Sequence, residues 1–222
     1  MPSASLRLAH AFGVCILQPV VPAATVALFG AYIWTDGELA RSIPSWVLLA
    51  VAVSGAAAVA LVVGGALLRA GRLAPGEIGW RRERPARVVL LGVLGAIAST
   101  AALLGAAALF GADPGAGLRQ MLEYSPSQRA LFALVGVALA VTEESLFRGH
   151  LQRELTARLG LPAAYLLTAA IYALFHFPML RADSVTARFG QGLVYGGLRG
   201  RDRSLVTAAT AHALCWAFVG LY

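Results

Sequence analysis

The sequence predicts an all-α fold: a polytopic membrane helical bundle of about seven transmembrane helices. Three observations carry this. Of 222 residues, 59% are hydrophobic, only 13% are charged, and the mean hydropathy is +0.73, well outside the range of a soluble globular domain. Apolar stretches long enough to cross a hydrocarbon core recur along the whole chain. The basic residues, all of them arginine, fall mostly between these stretches.

Taken in order, the stretches run over roughly 8–34, 45–69, 87–110, 126–147, 161–178, 186–200 and 204–222. The first follows Arg7 and resembles a signal peptide. Gln18, Pro19 and Pro22 interrupt it, and it stays apolar to Trp34, so an uncleaved helix, or two half-helices, is expected. After the second comes the longest polar stretch, "RAGRLAPGEIGWRRERPAR", read as a cytoplasmic anchor loop with a Pro75-Gly76 turn and Trp80 at the interface. The sixth, "TARFGQGLVYGGLRG", is short, glycine-rich and carries Gln191.

Arginine placement orients the bundle. With the N-terminus cytoplasmic, 13 arginines lie inside and 5 outside, which is the asymmetry expected of a multi-pass protein of the inner (plasma) membrane. The net charge of +7 thus reflects topology rather than nucleic-acid binding, for which no basic stripe with interleaved aromatics is present. Cys15 and Cys215 sit in apolar segments without metal-ligand or disulfide spacing and read as packing residues. No internal repeat or separate soluble domain is visible. The chain divides only loosely, into N-terminal membrane helices and a cytoplasmic loop (1–124) and a helical core (125–222), within one integrated membrane domain.

The chemistry concentrates in that core. In "LAVTEESLFRGHLQ" an apolar run meets Glu143, Glu144 and Arg148 within six positions. Each ionised group at the centre of a membrane helix costs about 2.5–3.5 kcal/mol, so the cluster demands a reason. Glu144 and Arg148 are four apart and can neutralise one another on one helix face. Glu143 is turned away by about 100° and is left to act on its own, as a general base toward water. The plain alternative puts all three groups in interfacial water.

Two histidines, His176 and His212, also lie within apolar spans. If the chain turns at "LGLP", Glu143 lies about 17 residues before the turn and His176 about 15 after it, so an antiparallel hairpin sets them at one level. His212 lies about 10 residues past the turn "RGRDR", somewhat shallower, which helix tilt can correct. Convergence requires Arg153, Glu154 and Arg158 to lie along a water-filled mouth or beyond the bilayer on the cytoplasmic side.

These residues resemble a known family. "EESLFR" is similar to the EExxxR motif of the CAAX protease and bacteriocin-processing (CPBP, or Abi) family of intramembrane endopeptidases, to which the Ras-converting CAAX prenyl protease belongs. "YALFH" resembles its FxxxH motif and "HALCW" its HxxxN motif, in the same order, and the similarity covers about residues 125 to 222. The resemblance implies a glutamic-type peptidase in which Glu143 activates the hydrolytic water, Glu144 and Arg148 support it, and His176 and His212 orient the water or stabilise the oxyanion. Two positions depart from the pattern: Tyr172 stands for Phe and adds a hydroxyl, and Trp216 stands for Asn. With the amide gone, the donor comes from elsewhere, or rate or specificity is altered, or activity is lost.

The resemblance also raises zinc, which Glu143, His176 and His212 would hold; Arg148 beside them disfavours a dication, and no cofactor is expected. The implied partners are the bilayer and a membrane-associated protein or peptide cut near a terminus, with no nucleic acid. A composition rich in Ala, Gly and Arg and without Lys suggests a high-GC bacterial source, and with it a bacteriocin-like peptide, a signalling anchor or a sorting signal of the kind ascribed to myxosortases. Two other classes compete: a proton-coupled or small-molecule transporter using the same ionisable groups, and an inactive immunity or scaffold protein for which Trp216 is the best argument.

Overall fold

In the computed structural model, residues 5–16, 74–113, 115, 119, 122–123, 125–176 and 182–219 are described. Among them the chain is helical and contains no strand. The elements are α1 (Ser5–Ile16), a single turn α2 (Pro75–Ile78), α3 (Pro85–Leu109), α4 (Pro126–Glu143), a π-helical segment (Glu144–Leu151), α5 (Gln152–Leu159), α6 (Leu161–Leu174), α7 (Ala182–Asp202) and α8 (Leu205–Val219).

The last five predicted stretches each have a helix, with two changes of extent. The one expected at 126–147 runs on without a break to Leu159, and the glycine-rich one expected at 186–200 spans 182–202. The predicted stretch 45–69, and residues 17–34 of the first, lie outside the described residues. Among the described helices, α3 alone is long and apolar enough to cross a membrane; Ser5–Ile16, Leu161–Leu174 and Leu205–Ala217 are shorter apolar helices.

α3 starts on Pro85, whose missing N–H costs nothing at a first helical position. It buries one stripe of mostly small residues, Gly92, Gly95, Ala96, Ser99, Leu103, Ala106 and Ala107, at the spacing of one helix face. The other side exposes Val89, Leu90, Leu94 and Ile97. An apolar outer face over a small-residue inner one is the packing expected where lipid is the solvent. α8 and α7 lie against the inner stripe of α3, and α8 also packs on α4.

Gly160, at φ +77°, makes the turn between α5 and α6 where "LGLP" predicts it, and Pro162 follows at the start of α6. α6 then returns antiparallel to α5 and packs against α7. α1 covers the other side of the π-helical segment: Ala11, Val14 and Cys15 join Leu146, Phe147, Leu151, Leu155, Ala164 and Tyr172 in one buried cluster.

Candidate functional site

The run from α4 to α5 changes its winding where the charges arrive. Over Glu144–Leu151 the helix is π-type, each N–H reaching the carbonyl five residues back, a widening that recurs at functional sites. All eight of these residues are buried, and so is Glu143 at the junction. The three charged groups therefore lie inside the protein, and the interfacial alternative does not hold.

Glu144 is the structural member of the pair. Arg148 Nη1 donates to its Oε1 at 3.1 Å, with both side chains fully buried. His212 Nδ1 approaches the same oxygen at 3.0 Å. The Arg148 guanidinium lies 4.2 Å from the centre of the Tyr172 ring and 5.4 Å from that of Tyr195, so the cation is sandwiched among aromatic faces. Its Nη2 reaches the Gly192 carbonyl oxygen at 3.4 Å. A buried ion pair with this many added contacts is what keeps two charges tolerable out of water.

Glu143 faces the histidines. Its Oε2 lies 3.7 Å from His176 Nε2 and 3.9 Å from His212 Nε2. These gaps are too long for direct hydrogen bonds and suit one small polar molecule shared between the groups. Glu143 and His176 thus come together at the common level that hairpin spacing predicts, and His212 of α8 joins them.

Hydrogen bonding sets the imidazole protons. His176 Nδ1 lies 2.7 Å from the Tyr172 carbonyl oxygen, which only accepts, so Nδ1 carries a proton and Nε2 faces Glu143. At His212 the order is the reverse of a free donor. Trp216 Nε1–H donates to Nε2 at 3.2 Å, so Nε2 accepts and Nδ1–H donates to Glu144. Trp216 fits because α4 opposes it with Gly136, where a Cβ would stand 2.5 Å from the Trp216 Cβ.

Several supporting residues escape sequence reasoning. Tyr195 stacks on the His212 ring, centres 4.6 Å apart and planes 16° from parallel, and its hydroxyl is 2.6 Å from Ser99 Oγ on α3. Arg188 and Gln191 lie on the same face of α7 and pair at 2.9 Å. The described part of the loop read as an anchor also braces the site. Trp80 Nε1 donates to Ser145 Oγ at 3.0 Å, Ile78 is buried against Gly149 and Leu205 Nα donates to the Gly79 carbonyl at 2.8 Å. Of these, only Tyr195 carried a signal, standing seven residues after Arg188 and four after Gln191 on a helix too polar to be mere filler.

Arg153, Glu154 and Arg158 follow on α5. Glu154 is buried and takes Arg7 of α1 at 3.5 Å and Arg158 at 3.9 Å, so the expected open mouth is partly closed by α1. Residues 125–218 match the family model of the type II CAAX prenyl endopeptidase Rce1-like proteins. No curated protein and no solved structure matches the chain.

Proposed function

We propose, on the premise that the chain belongs through residues 125–218 to the type II CAAX prenyl endopeptidase Rce1-like family, that it is an intramembrane endopeptidase using a glutamate-activated water. The observation that carries this is the convergence of His176 Nε2 and His212 Nε2 on Glu143 Oε2 in a buried site. A water held by Glu143 and His176 loses a proton to the Glu143 carboxylate as its oxygen bonds to the scissile carbonyl carbon. When the tetrahedral intermediate collapses, the C–N bond breaks and Glu143 returns that proton to the leaving nitrogen. Glu144 stays anionic between Arg148 and His212 and fixes both. The substrate is a membrane-associated protein or peptide, reached from the cytoplasmic side of an inner membrane that the chain crosses several times.

The donor set does not suit zinc. A third ligand would need the His212 Nε2 lone pair, which already accepts the Trp216 indole N–H, and Arg148 stands one contact away behind Glu144. The reading is therefore glutamic rather than metallopeptidase.

The test is to incubate the detergent-purified protein with the membrane proteome of its source and map new peptide termini by mass spectrometry. Termini that form with the unaltered protein, persist in chelator and vanish with Glu143→Gln support the reading. Cleavage that survives Glu143→Gln, or none from a well-folded protein, overturns it; chelator-sensitive cleavage overturns the metal-free mechanism.

A further inference from the structure

The peptidase reading leaves one part unassigned. Peptide hydrolysis needs a hydrogen-bond donor where the carbonyl oxygen becomes negative, and His212 is not free to be one. Its Nδ1–H is spent on Glu144 and its Nε2 accepts from Trp216, so neither ring nitrogen has a proton to offer. Trp216 in turn directs its single N–H at His212. Arg148 is the counter-ion of Glu144, and the Arg188 guanidinium is engaged by Gln191.

Tyr172 answers the requirement. Its side chain is fully buried, and its hydroxyl has no hydrogen-bond partner among the described residues, an expensive state unless a ligand supplies one. It stands four residues before His176, near the end of α6, with ring centres 4.4 Å apart, and 6.3 Å from the His212 ring. Arg148 over the ring face draws electron density from the phenol and strengthens it as a donor.

We infer that the Tyr172 hydroxyl donates to the oxyanion of the tetrahedral intermediate, so that Tyr172 and Trp216 are a compensating pair: the donor moves from the fourth position after His212 to α6. The phenol gives a hydrogen bond and keeps its proton, so it adds no step to the proton transfer between water, Glu143 and the leaving nitrogen. The inference rests on the peptidase reading and adds one catalytic residue to it.

The experiment uses the full chain and a quenched-fluorescent peptide built on the strongest Glu143-dependent cleavage found in the source membranes. Tyr172→Phe should lower kcat about 10²-fold with little change in KM and no loss of melting temperature, the effect of removing one oxyanion donor. Tyr172→Phe combined with Trp216→Asn should recover much of that loss, because the amide restores a donor and unlocks His212. Full activity in Tyr172→Phe overturns the inference and moves the donor to another group such as the Arg148 Nε. A loss that Trp216→Asn fails to repair in a stable double variant also overturns the pairing. Absence of any Glu143-dependent cleavage in the unaltered chain overturns the peptidase reading and this assignment together.

Discussion

Arg148 and Glu144 form an ion pair at 3.1 Å in which neither side chain is exposed to solvent, and the rest of the site is arranged around it. Each charge is tolerable only because the other is there. Removing the cation should therefore cost far more than removing a surface partner: Arg148→Ala is expected to destabilise the protein by about 3–5 kcal/mol. Glu144→Leu with Arg148→Met should regain most of the melting temperature in detergent yet show no cleavage. Recovery of stability without activity would separate the structural demand of the pair from its role in holding His212.

Gly136 and Trp216 make a second testable contact. A Cβ at position 136 would meet Trp216 Cβ at 2.5 Å and Cγ at 2.8 Å, so the indole occupies space that only glycine leaves. Gly136→Val should push Trp216 aside, cost about 1–3 kcal/mol by overpacking, and slow cleavage by releasing His212 Nε2. Adding Trp216→Ala should restore the melting temperature by returning the volume. A Gly136→Val protein as stable and active as the original would show that the indole can be placed elsewhere at no cost.

A pH response follows from His150, which lies past the predicted span 126–147. His10 Nδ1 of α1 and His150 Nε2 are 3.1 Å apart, with Arg7, Arg153 and Glu154 around them. Burial, reinforced by His10 and Arg153 and opposed by Glu154, holds His150 down at about 4. The folded protein then binds this proton less readily than the unfolded chain, whose histidine titrates near 6.5. Stability rises with pH wherever the unfolded state holds more protons, so it should be full above about pH 7 and decline as pH falls from about 6.5 toward 4. The expected loss by pH 5 is about 1–2 kcal/mol, read as a lower melting temperature. His150→Gln should flatten the profile; an unchanged slope in that variant would place the acid sensitivity elsewhere.

Much of this was legible without coordinates, for reasons that can be stated residue by residue. Glu144 and Arg148 are four apart on one helix, and such local spacing survives even when the helix winds as a π-turn. The antiparallel return at Gly160 and the shared level of Glu143 and His176 follow from chain length and rise per residue, which leave little freedom. The relation of Glu143 to Glu144 was not legible. A regular helix turns one away from the other, whereas the wider segment buries both in one site, and winding is set by what packs around it.

The amino-acid sequence by itself determined an apolar, helical chain, the ionisable residues it can ill afford to expose, and their order, because hydropathy and helix spacing are local properties. Only the tertiary structure decided which proton each histidine carries, that Trp216 seats against Gly136, that the Pro75–Trp80 loop braces Ser145 and Gly149, and that the Tyr172 hydroxyl is buried without a partner among the described residues. Those depend on contacts between residues up to 80 positions apart, as Gly136 and Trp216 are, which no local pattern encodes. Side chains that mean little where they stand in the chain acquire their chemistry from the neighbours that folding brings to them.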